Sequence, residues 1–394
     1  MSGFPFALTD RCVRCGLCLP HCPTYRDARS EAEGPRGRIQ IMESVAAARI
    51  ELTATGAAHV DHCLGCGHCA RVCPAKVDYL TIRDHFAARR LTRWQRAKLA
   101  LLSRPAWAGL RQLLVDLAAR WPAALTPPPL RAGRALSAAR PAPRPAFAQA
   151  LPAAPAAPGD WALFRGCQAA SFDARAQASA GRLLGALGVT HPAPTQCCGA
   201  LPQHGGALAQ AAQLRAQLAG EDRGDGQEQG EDAKPTLLAL DSGCLDALRA
   251  SGRGVQEACA WLDAHWPQAW QPAALPRRYA LHTPCTHRNA ADDSAAVRRL
   301  LGRIPQLELL PIEGLGCCGA AGLHMLEQPA HAARFSQALL AQLPDGVDGL
   351  LSTNIGCRAQ LRTQAPELAI RHPLEVVEEA LRRPATTTNT PTPA

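Results

Sequence analysis

Residues 12–23 read CVRCGLCLPHCP, and residues 63–74 read CLGCGHCARVCP. Both stretches follow the pattern C-x2-C-x2-C-x3-C-P, and that pattern dictates the structure around it. Three closely spaced thiolates wrap a tight loop around one face of an iron–sulfur cube. The fourth, set one residue further on and followed by proline, points elsewhere, and in two-cluster ferredoxins it ligates the other cube. The spacing therefore predicts one [4Fe-4S] cluster on Cys12, Cys15, Cys18 and Cys73 and a second on Cys63, Cys66, Cys69 and Cys22. This reciprocal exchange draws the two loops together. Zinc competes for C-x2-C pairs, but two complete runs with a trailing Cys-Pro favour the clusters. Gly16, Gly65 and Gly67 leave room for backbone amides to approach the sulfurs.

Composition sets the conditions under which these thiols work. A chain of 394 residues, 47% hydrophobic and 19% charged, can bury a sizeable core and divides into roughly two or three domains. The start, MSGFPFALTDRC, has neither a basic nor an apolar leader region. No uncharged apolar run reaches the ~18 residues of a membrane span. A soluble, cytoplasmic chain is the expectation. In a reducing compartment 17 cysteines, an odd number, point to metal ligation or redox chemistry rather than to disulfides. The formal charge is +9, carried by arginine apart from Lys76, Lys98 and Lys234. Such a balance suits nucleic acid, an anionic membrane surface or an acidic partner. Nucleic acid is disfavoured, because no aromatic residues interleave with the arginines to stack on bases.

The organisation follows from changes in composition. Residues 1–90 hold both cysteine loops, joined by a Gly-Pro turn and a helical pattern from Arg38 to about Leu52. Residues 91–121 form a basic amphipathic helical segment in which Trp107, Leu110, Leu114, Leu117 and Trp121 recur at helical spacing, flanked by Arg104, Arg111 and Arg120. That stripe either packs on its own protein or docks on a partner or membrane surface. Residues 122–160, rich in proline, alanine and arginine, read as a semi-rigid linker, and 384–394 as a disordered tail.

Beyond the linker the sequence repeats itself over 161–259 and 278–383. WALFRGC (161–167) and RYALHTPC (278–285) are apolar runs ending in cysteine, each followed by a helical pattern and then by Cys-Cys-Gly at 197–199 and 317–319. Another helical stretch follows each, then the strands TLLALDSGC and GLLSTNIGC, ending at Cys244 and Cys357. This order predicts two related α/β units with largely parallel sheets. The acidic run 221–235 lengthens the first unit as a solvated insertion. Cys285, Cys317, Cys318 and Cys357 fall where parallel strands end and helices begin, as do Cys167, Cys197, Cys198 and Cys244. Adjacent cysteines diverge unless something gathers them, so each set either holds a metal or cluster, the second repeat more strongly, or packs at a domain interface. Cys259 reads as an inert buried thiol. His21, His59, His62 and His68 stand beside the loops as outer hydrogen-bond donors or as ordinary surface histidines, and the RGR of 36–38 as a partner for cluster charge or as a solvated helix start.

Two ferredoxin loops, GPRGRI between them, a Pro/Arg-rich linker, two Cys-Cys-Gly repeats, and the segments CCGAAGLHMLEQP, STNIGC and IRHPLEVVEEAL resemble the iron–sulfur subunit of bacterial glycolate oxidase, a glycolate dehydrogenase. The resemblance covers nearly the whole chain. It implies an N-terminal two-cluster ferredoxin-like helical domain followed by two α/β cysteine-rich repeats, two [4Fe-4S] clusters, and in the repeats a further cluster, another metal or an empty site. It also implies a hetero-oligomer in which an FAD-containing partner oxidises glycolate to glyoxylate, while this chain carries electrons toward a quinone-type acceptor, in the cytoplasm or peripherally on the inner membrane. No flavin fingerprint occurs here: G-x-G-x-x-G after a strand is missing. Subunits of lactate oxidation, anaerobic glycerol-3-phosphate dehydrogenase and heterodisulfide reductase share the arrangement. In the last of these each repeat ends in Cys-x-x-Cys, giving five thiols; here LDA follows Cys244 and RAQ follows Cys357, leaving four. The alternatives are a thiol or quinone reductase acting at the Cys-Cys-Gly sites, and a scaffold with structural metal.

Overall fold

A computed structural model describes residues 3–120, 150–168, 172–190, 196–220, 234–291, 293, 295–312 and 316–382. The cysteine loops break the amino-terminal region into short helices, Phe6–Thr9, Pro23–Ala28, Pro35–Ala46, Ala54–Asp61, His68–Arg71 and Tyr79–Arg90. Pro23 and Pro35 open their helices, where the missing N–H has no helical acceptor to lose. The helix expected from Arg38 to about Leu52 thus begins earlier, at Pro35, and it stops at Ala46, just before Ala48 takes a left-handed φ of 55°. Phe4, Ile39, Met42, Val60, Tyr79, Ile82 and Phe86 form the core of this region, and Cys12, Cys63, Cys69 and Cys73 pack against it.

Two further helices, Arg93–Ser103 and Ala108–Arg120, carry the basic segment. The first opens on a reciprocal cap between Thr92 and Gln95. In the second the apolar stripe does not pack on the protein among the described residues. Trp107, Leu110, Leu113, Leu114 and Leu117 face outward, while Arg111, Val115 and Ala118 face in. Arg111 therefore does not flank the stripe. It donates to the carbonyls of Leu101 (3.0 Å), Leu102 (3.2 Å) and Cys167 (2.9 Å), and these bonds turn the helix. Trp121 and most of the linker lie outside the described residues, as do the bulk of the 221–235 insertion and the tail.

The repeats form two parallel sheets. In the first, β1 (Trp161–Phe164), β2 (Thr236–Ala239) and β3 (Val255–Glu257) lie in that order; in the second the order is β5 (Leu307–Pro311), β4 (Arg277–His282), β6 (Gly349–Ser352) and β7 (Ile370–Arg371). A parallel bridge between Ala162 and Thr190 occupies the place in the first unit that β5 holds in the second. Both units share one topology. They pack reciprocally: helix Ala174–Gly185 of the first lies on Pro373–Leu381 of the second, and Ala296–Leu301 of the second lies on Ala258–Ala264 of the first. Leu183, Trp261, Leu300 and Val377 belong to one buried cluster that spans the seam. Cys259 is fully buried in that cluster. The remaining linker residues join it too, with Leu151 and Ala154 against the core and Trp270 Nε1 donating to Pro152 O at 3.0 Å. The fold is an N-terminal helical ferredoxin-like region followed by two α/β cysteine-rich repeats.

Candidate iron–sulfur centre

Cys22, Cys63, Cys66 and Cys69 line a single cavity, with Arg38 and Tyr79 completing its wall. Cys22 arrives from the other loop on the residue that caps helix Pro23–Ala28. Gly65 holds a left-handed φ of 58°, which lets its N–H donate to Cys63 Sγ at 3.4 Å. A side chain there would strike Arg83 Nη1, 2.6 Å from the place of its Cβ. Gly16 of the first loop repeats the device with φ 84° and Arg36 Nη1 at 2.7 Å. Each loop is thus covered by an arginine at its glycine. Cys18 stands within electrostatic reach of Cys12 and Cys22, and Cys69 within reach of Cys63, Cys22 and Cys18, so the two loops meet. Cys15 is exposed.

Burial pushes the Cys18 thiol up to about 11, and it raises Cys66 and Cys69 as well. Cys63 goes the other way: burial opposes its ionisation, but Arg38, Arg83, the Tyr79 hydroxyl and the Gly65 amide outweigh it and bring the thiol below its ordinary value. Several buried sulfurs that raise one another's pKa form a donor set whose charge a metal centre neutralises, since a coordinating thiol is deprotonated outright. Soft sulfur donors select zinc, copper(I) or iron–sulfur clusters. The residues fit an iron–sulfur group.

In the second repeat Cys318 Sγ lies 2.8 Å from Cys357 Sγ, and Cys317 and Cys285 act electrostatically on both the pair and each other. In the first repeat Cys198 Sγ lies 3.1 Å from Cys244 Sγ, and Cys167 is hydrogen-bonded to Cys197. The strands end at Ala239 and Ser352, so Cys244 and Cys357 sit one turn past them, on a 3-10 turn and in the first turn of helix Ile355–Gln364. The glycine of each Cys-Cys-Gly closes a sharp turn whose N–H donates back to the first sulfur at 3.4 Å, Gly199 to Cys197 and Gly319 to Cys317. The helix of each repeat passes directly beneath. A Cβ on Gly319 would stand 2.2 Å from Ala332 O, and on Gly199 3.0 Å from Ala211 O. The two sites differ in their neighbours. Cys66 is raised first by burial, then by Cys285, Cys69 and Cys317, and Cys317 in turn feels Cys22. Asn289 Nδ2 donates to Cys66 O at 2.6 Å, and Arg71 donates to Arg288 O at 3.0 Å, clamping the helix Cys285–Ala290 to the second loop. The thiols of the first repeat interact with one another and with Arg111.

The 4Fe-4S dicluster domain family matches residues 9–77, and the cysteine-rich domain family matches 161–226 and 279–362. The chain is an iron–sulfur protein of the dicluster plus cysteine-rich class. It is 27% identical over 415 residues, 94% of each chain, to the glycolate oxidase iron-sulfur subunit of Escherichia coli (strain K12). To the probable glycolate oxidase iron-sulfur subunit of Bacillus subtilis (strain 168) it is 46% identical over 69 residues, 17% of this chain and 16% of the relative. It is an iron–sulfur electron-transfer subunit related to these proteins. No helix among the described residues is long and apolar enough to cross a membrane.

Around the dicluster domain several residues take parts that motif reading left open. Of the histidines, His59 and His62 each set Nδ1 2.8 Å from Glu33 Oε1; His68 is buried and His21 exposed. Arg38 is no solvated helix start: its guanidinium donates to Glu33 Oε2 (2.6 Å), Thr24 Oγ1 (2.9 Å) and His59 O (2.6 Å). Arg36 stays at the surface, on Glu31 and on Arg14 O. Arg83, buried beside Asp84 and reaching His204 Nδ1 at 2.9 Å, was missed, because nothing in TIRDHF distinguishes it from an exposed helical arginine.

Proposed function

We propose that this chain serves a glycolate oxidase-type complex: a flavoprotein partner oxidises glycolate to glyoxylate, releasing two electrons and two protons, and this chain passes the electrons on to a quinone-type acceptor. Cys12, Cys15, Cys18 and Cys73 would hold one cluster, and Cys22, Cys63, Cys66 and Cys69 the other. When bound, such clusters supply one-electron carriage. Cys285, Cys317, Cys318 and Cys357 would hold a third centre, and the first-repeat thiols a more remote one. The observation that carries the reading is the contact of the second repeat with the second cysteine loop, Asn289 on Cys66 O, beside sulfurs that act electrostatically on one another from Cys18 through Cys69 and Cys66 to Cys285. Arg38 and Arg83, fixed by buried carboxylates, offset the negative charge of the thiolates of the second set.

The donor is tested by anaerobic co-purification with the native partners, followed by glycolate, lactate and glycerol 3-phosphate in turn under electron paramagnetic resonance. Glycolate should reduce the clusters within the turnover time and the other two slowly; fast reduction by another of the three reassigns the substrate. The outward stripe of helix Ala108–Arg120, with Arg104 and Arg120 at its ends, supports docking on the flavoprotein or on an anionic membrane. Leu113→Glu with Leu117→Glu should release the chain from both, and unchanged co-sedimentation would dismiss this role.

A further inference from the structure

Where the dicluster domain meets both repeats, a cavity of about 180 Å³ opens with Cys63 in its wall. We propose that this cavity binds the ring of the quinone acceptor, an inference that rests on the quinone reading above. Its size suits one ring with the tail left outside, since a cavity of ~150 Å³ accommodates benzene. Phe86, Leu99 and Leu201 supply apolar walls, and Arg83, His204 and His324 bring polar groups to the cavity. Asp61, Arg90, Gln95, Glu327 and Gln328 complete a mixed polar and apolar lining, with Asp61 paired to Arg90 and Glu327 to Lys98.

The placement of Arg83 joins the two halves of the reaction. The same guanidinium lies over Gly65 in the Cys63 loop and reaches His204 Nδ1 at the cavity. Charge arriving on the ring would be stabilised by the group that also faces the sulfur delivering it. Reduction of the quinone to the quinol consumes two electrons, delivered singly from the Cys63 side, and two protons, one for each ring oxygen. Two imidazoles lead those protons inward. His204 is itself partly exposed, and His324 Nε2 lies 2.8 Å from Nδ1 of the half-buried His331. The flavoprotein partner is the reductant that closes the balance.

The test uses the holoprotein with its flavoprotein partner and a short-tailed benzoquinone. Leu201→Trp and Leu323→Trp, both at half-buried positions of the lining, should each raise the KM for the quinone at least tenfold. Iron content and the dithionite-reduced paramagnetic spectrum report that the clusters are intact. In wild-type protein an azido-benzoquinone should label the peptides around residues 83–99, 201–205 or 321–328. Unchanged KM in both variants with full iron, or labelling confined to other peptides, would overturn the site while leaving quinone reduction standing. Wild-type complex that reduces ferricyanide but no quinone would remove the quinone reading, and this site with it.

Discussion

Arg38 has 1% of its side chain exposed and keeps its charge because Glu33, itself buried, is held against it. Burial disfavours the charge on Arg38, but the neighbouring Tyr79, Cys63, Cys22 and Glu33 raise its pKa instead. Removing one partner of such a pair leaves the other charge buried and costs ~3–5 kcal/mol. Arg38→Met should therefore lower the urea concentration at which the cluster absorbance is lost, and an unchanged midpoint would contradict the argument. Arg358 presents the same problem between the repeats, where it pairs with Asp173 at 2.6 Å and Asp241 at 3.2 Å. One arginine cannot fully offset two buried carboxylates. Burial pushes Asp173 up to about 8 despite Arg358, and Asp241 adds to the rise. The folded state then binds a proton that the unfolded chain releases at the ordinary Asp value of about 4. Stability from this group should fall as pH rises from about 4 to about 8. Asp173→Asn should flatten that dependence, read from urea unfolding by the fluorescence of the buried Trp261 and Trp270.

Among the elements, the Cys-Cys-Gly turn is the one whose geometry is most tightly prescribed. Gly319 has φ 79°, and the carbonyl of Ala332 lies where a side chain would go. Gly252 has φ 76° with nothing within 4 Å of the same place. Left-handed backbone by itself costs an L-residue ~1–2 kcal/mol. Gly252→Ala should lose about that much, and Gly319→Ala considerably more, together with the metal of the centre proposed for the second repeat. Equal losses would mean that the helix beneath gives way. The stripe of helix Ala108–Arg120 is a different kind of case. Its periodicity was legible, but its facing was not, because hydrophobic spacing marks an apolar face without saying whether that face is covered. The bonds of Arg111 to three carbonyls decided the rotation.

On the scale of the whole molecule, the two repeats share a topology and a thiol set but not a position. The Cys285 helix is clamped to the second cysteine loop, whereas the first repeat meets the dicluster domain through His204 and Gly206, and its thiols act on one another and on Arg111. Cys285→Ala should therefore shift the paramagnetic spectrum of the cluster proposed at Cys66, and Cys167→Ala should leave it as in wild type. Equal shifts would mean that the repeats are electronically equivalent.

The sequence by itself determined the two loop motifs, the duplication of the α/β unit, its parallel sheets and the class of cofactor. Such features are set by local spacing: ligand geometry dictates the intervals between cysteines, and strand and helix periods write themselves into the hydrophobic pattern. Only the tertiary structure decided which repeat brings its thiols to the dicluster domain, which arginines are buried against the sulfurs, and where a cavity opens beside Cys63. Those depend on contacts between residues more than a hundred positions apart, such as Asn289 with Cys66 and Arg83 with His204. Complementarity of that kind leaves no periodic trace in a single chain.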